Sequence, residues 1–199
     1  MTAVTELGYL TLGVSNLASW EAYAATILGL EVMPGESAEV RYLRMDYWHH
    51  RIKLVEDKAD DLLAMGLRLA GTLELRALVE RLTAAGVAVR RGSQAEAEAR
   101  QVLEVAFVTD PNGIAIELFH GPLVQYDLPF HPGRRMHGSF RTGSVGMGHM
   151  LLNRRADFDA IAENRYAGVV STGETIPWQE MRVYLEARMA GKATKRPVA

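Results

Sequence analysis

Apolar and polar positions alternate over Gly8-Tyr9-Leu10-Thr11-Leu12-Gly13-Val14, the period of a half-buried strand. Ser15 and Asn16 then offer capping side chains ahead of Leu17, Trp20, Ala24, Ile27 and Leu28. That three- and four-residue spacing predicts a helix with one apolar face, ended by Gly29 in the left-handed conformation. Two strands are expected next, Val40 to Met45 and Trp48 to Val55, joined around Asp46 and Tyr47. A second unit of the same kind opens near Leu62 with an apolar run to Ala70. Its helix carries Leu75, Leu78, Val79 and Leu82 and stops at Gly86. Val102 to Thr109 and Ile114 to Phe119 alternate as two further strands around Asp110-Pro111-Asn112-Gly113, a tight-turn sequence. The helix exits echo one another, Gly29-Leu30-Glu31-Val32 against Gly86-Val87-Ala88-Val89. The pattern predicts an α+β body over residues 1–121, built from two related strand-helix-strand halves. Arg91 to Arg100, with alternating Ala and Glu, reads as a solvated loop or short helix without a chemical role.

Residues 122–146 lack apolar periodicity and contain Pro122, Pro129 and Pro132, so they read as a long connection. From 147 to 199 a second module is expected to start, because Val145-Gly-Met-Gly-His-Met-Leu-Leu152 repeats the character of the opening strand. Asn153 to Asp159 then departs from the first module. A short helix near Asp157 to Asn164 and a second helix presenting Trp178, Met181, Tyr184 and Leu185 make this a helical tail, with Pro177 at its start and Gly191 past its end. Its apolar stripe covers either the body or a protein partner.

Composition narrows the chemistry. The 199 residues carry 22 basic and 24 acidic side chains, a net charge of −2, mixed along the chain, and give no electrostatic footprint for nucleic acid. No apolar run is long enough to span a membrane and the first residues do not form a secretion signal, so a cytoplasmic protein is expected. The absence of cysteine leaves His, Asp and Glu as metal ligands. His49 and His50, adjacent on an expected strand, should point to opposite faces and so should not chelate one metal together. Glu117 alternates with Ala115 and Phe119, as a relic carboxylate in a cavity or a hydrogen-bonded structural acid. His120 resembles a strand-end residue, and His131 and His137 fall on the connection.

Gly8 to Val14, Leu28-Gly29-Leu30, Asp110-Pro-Asn-Gly-Ile-Ala-Ile-Glu-Leu-Phe-His-Gly121, Pro129-Phe130 and Phe140-Arg-Thr-Gly-Ser-Val-Gly-Met-Gly-His149 follow one another in an order that resembles the vicinal oxygen chelate superfamily. Within it the resemblance is to the type I extradiol dioxygenases, which open catechols such as 2,3-dihydroxybiphenyl. It implies paired βαβββ units forming a curved mixed sheet, Fe(II) as cofactor, a catechol and O2 as substrates, and a homo-oligomer. It makes His149 the first iron ligand, on the opening strand of the second module, and assigns no catalytic side chain. It makes the first module empty of metal: Tyr9 stands where His149 does, Leu62, Leu63, Ala64 and Met65 offer no second ligand, and Glu117 alone matches the carboxylate. The 50 residues after His149 contain no histidine, so the resemblance implies a truncated second module with an incomplete ligand set. Two alternatives stay open beside ring cleavage: a non-catalytic small-molecule-binding or dimerising module, and a fusion whose C-terminal helix binds a protein partner.

Overall fold

The computed structural model describes residues 4–111, 113–143, 146–148, 150–152, 183 and 187. The chain divides into two compact units, Met1–His149 and Met150–Ala199. In the second unit Val183 and Ala187 are helical. The expected helix near Asp157 to Asn164, and Trp178, Met181, Tyr184 and Leu185, lie outside the described residues.

The first unit is one eight-stranded mixed sheet with two helices on one face and a short third helix on the other. Its strands are β1 (Glu6–Val14), β2 (Glu31–Pro34), β3 (Val40–Arg44), β4 (Ile52–Glu56), β5 (Leu62–Arg68), β6 (Val89–Arg91), β7 (Val102–Thr109) and β8 (Ala115–Pro122). The helices are α1 (Leu17–Tyr23), α2 (Thr72–Ala84) and α3 (Gln94–Glu98). The spatial order β2-β3-β4-β1-β5-β8-β7-β6 sets two βαβββ halves back to back. Each half closes with a parallel pair, β1 with β4 and β5 with β8, and the antiparallel β1–β5 pair joins them. The repeat legible in the two helix exits is thus a repeat in space.

Local sequence explains the element ends. The Asn16 side chain caps α1 by accepting from the Ser19 N–H at 2.9 Å, whereas Ser15 turns away to Asp60. Gly29 adopts φ 76° as expected, but the last turn, Ala24–Leu28, widens into a π-helix. The extra residue per turn rotates Ile27 and Leu28 out of the apolar stripe, and both are exposed. Asp110 closes the β7–β8 turn, its backbone carbonyl accepting from Gly113 and its carboxylate from the Ile114 N–H at 2.7 Å. Trp48 belongs to an isolated bridge with Val124 instead of to β4, which starts at Ile52.

Two cores lie beneath the helices. Val14, Leu17, Ala24, Leu30, Leu43 and Leu54 join α1 to the first half, and Leu69, Leu75, Leu78, Val79, Ala106 and Leu118 join α2 to the second. Burial of Leu75, Leu78 and Val79 contributes about 1.5–3 kcal/mol each before the entropy of ordering is subtracted. A third cluster, Tyr9, Trp48, Ala97, Val102, Val105 and Phe119, lies on the opposite face of the sheet, where the candidate site is.

The segment after β8 is fastened to this body. Arg44, with no exposed surface, donates to the carbonyls of Trp48 at 3.1 Å and Leu128 at 2.8 Å, and to Glu31 at 3.0 Å. Further on, Gly146 forms a parallel bridge to Leu7, and Met147 donates to the Leu7 carbonyl at 3.1 Å. A strand over 145–152 is not formed among the described residues. No helix of the described residues is long and apolar enough to cross a membrane.

Candidate functional site

Sheet register brings three positions into one row. Tyr9 of β1 pairs with Gly66 of β5, and Gly66 pairs with Glu117 of β8. The row corrects one expectation: the residue standing between Tyr9 and Glu117 is Gly66, not any of Leu62, Leu63, Ala64 or Met65, because a shift in the β1–β5 register moves the pairing along the strand. Only glycine fits there, since an added Cβ would come within 2.6 Å of the Tyr9 ring.

Tyr9 is 2% exposed and Glu117 5%. The Tyr9 hydroxyl donates to Glu117 Oε2 at 2.5 Å. Arg100 completes the group with a two-pronged contact, Nε to Oε2 at 2.7 Å and Nη2 to Oε1 at 2.6 Å. Burial, followed by the charge and hydrogen bond of Glu117, pushes the Tyr9 phenol well above its usual range. Burial works to lower the Arg100 pKa, but its bond to Glu117 outweighs this and raises it. The guanidinium also lies 4.7 Å over the Phe107 ring. Glu117 is therefore the hydrogen-bonded structural acid of the two readings left open, and both of its oxygens are engaged.

Arg100 comes from the stretch read as bland. The short helix α3 forms there because Ser93 and Glu96 cap it reciprocally, the Ser93 hydroxyl accepting from the Glu96 N–H and the Glu96 carboxylate from the Ser93 N–H. The Ser-x-x-Glu spacing was the signal for that helix. Nothing local announces that the arginine beyond it turns inward, since its partner is 17 residues away on another strand.

His49 and His50 also depart from expectation. They lie in the loop before β4, where no strand alternation forces them apart, and their Nδ1 atoms are 3.0 Å from each other. Their rings meet edge to face, and both stand against Tyr42 at 4.8 and 4.5 Å between centroids. Burial and then the charges of His49 and Lys53 hold His50 down at about 3, while burial and then Arg44 lower His49. Beside them, Tyr42 and Lys53 donate to Glu36 at 2.6 and 2.5 Å. Burial opposes ionisation of Glu36, but these bonds prevail and keep its carboxyl at about 2.

The remaining candidates are dispersed. His120 lies at the end of β8, buried, 2.8 Å from the Thr72 hydroxyl. His131 contacts Glu31 from an exposed position, and His137 is exposed. His149 lies outside the described residues. Trp20 packs against the first core, and Tyr47 pairs with Tyr126 at 5.8 Å between rings. Among the described residues no group of three or more His, Cys, Asp or Glu is placed to hold a metal ion.

Comparison with known proteins agrees with this architecture. Residues 7–56 match the family model described as dihydroxybiphenyl dioxygenase BphC D1. The chain is 50% identical over 162 residues to a 1,2-dihydroxynaphthalene dioxygenase of Sphingobium xenophagum, covering 81% of this chain and 54% of that protein. It is 49% identical over 162 residues to a biphenyl-2,3-diol 1,2-dioxygenase of Sphingomonas paucimobilis, with the same coverage. Among solved structures, a catechol 2,3-dioxygenase crystal structure superposes with a TM-score of 0.76 at 45% identity, covering 83% of this chain and 55% of that one. The chain thus spans about half the length of the curated relatives it matches. Over about half their length, the extradiol dioxygenases are what this chain is similar to, and it shares their vicinal oxygen chelate fold.

Proposed function

We propose that this chain serves extradiol ring cleavage of a bicyclic catechol, such as 2,3-dihydroxybiphenyl or 1,2-dihydroxynaphthalene, with O2 as co-substrate and Fe(II) as cofactor. The observation that carries the proposal is the identity of about half the aligned residues with dioxygenases named for those two catechols. In this reading residues 1–121 are a non-catalytic body, 122–146 a connection and 147 onward the start of a second module, in a cytoplasmic homo-oligomer.

Iron does not fit the described residues of the body. Fe(II) in such chemistry takes two imidazoles and a carboxylate on one face, with open positions for its substrates. The row Tyr9, Gly66 and Glu117 offers one carboxylate, and Arg100 and Tyr9 already hold it. The body therefore supports the reaction by scaffolding. His149 is proposed as an iron ligand of the second module. The row itself is no small-molecule site: the cavity bounded by Tyr9, His50 and Arg100 is only about 10 Å³, far too small for an aromatic ring.

The test is anaerobic Fe(II) titration of the purified chain followed by O2 uptake with each catechol, comparing wild type with His149→Ala. Iron binding and ring-cleavage product, both lost in the variant, support the proposal. Iron binding that survives in His149→Ala removes that residue as a ligand. Absence of O2 uptake in the iron-loaded wild type overturns catalysis by this chain.

A further inference from the structure

The sheet ends at β6 in an opening remote from the row Tyr9–Gly66–Glu117 and unused by the proposed reaction. β6 pairs with β7 only over Val89 to Arg91 against Val108 to Ala106, and Gly92 donates to the Val105 carbonyl at 2.8 Å before the chain leaves the edge for α3. Glycine is required at that exit, because a Cβ at position 92 would come within 2.5 Å of the Val105 side chain. Beyond the short β6, residues of α2, α3 and β7 enclose a cavity of about 200 Å³. The buried side chains lining it are apolar: Leu75, Val79, Ala97, Val105 and Ala106. Two exposed side chains on the same lining are arginines, Arg76 of α2 and Arg91 of β6.

We propose that this cavity binds a small monocarboxylate whose body is a single six-membered ring, of the benzoate class. Size sets the body. An apolar cavity of about 150 Å³ accepts benzene. The 200 Å³ available here therefore takes one ring with its carboxylate and excludes molecules of two rings. The site is thus no second position for a bicyclic catechol.

Charge sets the head group. Arg91 makes no hydrogen bond or ion pair among the described residues, so its planar fork of donors is open to a ligand. Arg76 is held only loosely, with Nη2 3.8 Å from Glu104 Oε1. Glu104 is the acidic side chain of the lining, and its Oε1 also accepts from the Thr72 hydroxyl at 3.2 Å. Two guanidiniums against one carboxylate leave one positive charge, which matches a monoanion better than a dianion such as phosphate. A carboxylate is also the planar anion that an arginine fork grips at two points. The apolar lining is the reason for a ring behind it, since an inorganic anion would leave those side chains facing water. Binding at this edge is independent of iron and of ring cleavage.

The test is calorimetry of the full chain with benzoate, benzamide and inorganic phosphate at fixed ionic strength, with backbone amide NMR shifts to place the site. Wild type is compared with Arg91→Gln, Arg76→Gln and the control Lys58→Gln, three exposed positions whose exchange leaves the core untouched. The expected result is one benzoate per chain, shifting the amides of Gly92, Ala97 and Leu103. Arg91→Gln should weaken it by about 10- to 100-fold, the worth of a hydrogen bond to a charged group. Arg76→Gln should lose less, because Glu104 already shares that guanidinium, and Lys58→Gln should bind as wild type does. Benzamide, of the same shape but uncharged, should bind about 10-fold more weakly or worse. No benzoate binding, equal affinity for benzamide or phosphate, or equal affinity in wild type and Arg91→Gln would overturn the proposal.

Discussion

Arg100→Met removes both charge-assisted bonds to Glu117, made at 2.6 and 2.7 Å, while keeping most of the side-chain length. The carboxylate is left 5% exposed with the Tyr9 hydroxyl still bonded to it. Breaking a fully buried ion pair from one side costs about 3–5 kcal/mol. The Arg100 side chain is 28% exposed, so water can reach part of the vacated space. We therefore expect the lower end, about 3 kcal/mol. In urea, with a slope of about 1–3 kcal/mol per molar, the unfolding midpoint should fall by about 1 M or more. Glu117→Leu alone also destabilises, because it strands Arg100 against Phe107 and orphans the Tyr9 hydroxyl. The double variant should recover much of the loss, since two buried charges disappear together, and adding Tyr9→Phe removes the remaining orphan. The coupling energy of the Arg100–Glu117 cycle should reach about 2 kcal/mol. Strictly additive single variants, with a coupling below about 0.5 kcal/mol, would refute the view that the guanidinium neutralises this carboxylate.

Two further outcomes test the same architecture. Gly66→Ala drives a Cβ to within 2.6 Å of the Tyr9 ring and should cost about 1–3 kcal/mol, measured as a lowered thermal midpoint; an unchanged midpoint would mean that the β1–β5 register is wrong. Glu96, held by its bond to Arg90 and by the Ser93 N–H, has a carboxyl pKa of about 2 in the folded chain against 4.5 without those partners. Its contribution is therefore present above about pH 4.5 and lost as the pH falls towards 2, so a carbon-detected NMR titration should give a midpoint near 2 in wild type and a higher one in Arg90→Gln, still below the ordinary value because the Ser93 N–H remains.

The two halves were legible because each element carries its own punctuation: Asn16 and Gly29 bracket the first helix, Gly86 ends the second, and Asp110 to Gly113 turns one strand into the next. The strand boundary at Trp48 was not, since its apolar side chain fits a strand as well as a bridge, and only the Val124 pairing decides. Within the site, the Tyr9 and Glu117 positions follow from alternation. Gly66 could not be chosen over its neighbours, because the irregular register against β1 has no sequence mark. The outward turn of Ile27 was hidden for the same reason: a π turn obeys the same apolar spacing as an α-helix until its geometry is known. His49 and His50 were misread through one wrong premise, a strand extended four residues too early.

The contact between Tyr9 and Glu117 spans 108 residues of chain, and the Gly66 beneath them belongs to the opposite half from Tyr9. Since β1 lies between β4 and β5, the first half lends its opening strand to the middle of the sheet and leaves a raw hydrogen-bonding edge if separated from the second. Neither repeat is an autonomous folding unit. A nascent chain must hold the first half, edge unpaired, until β5 has been synthesised, and the row waits longer still for β8, whose closure against β5 makes its assembly a late event in folding.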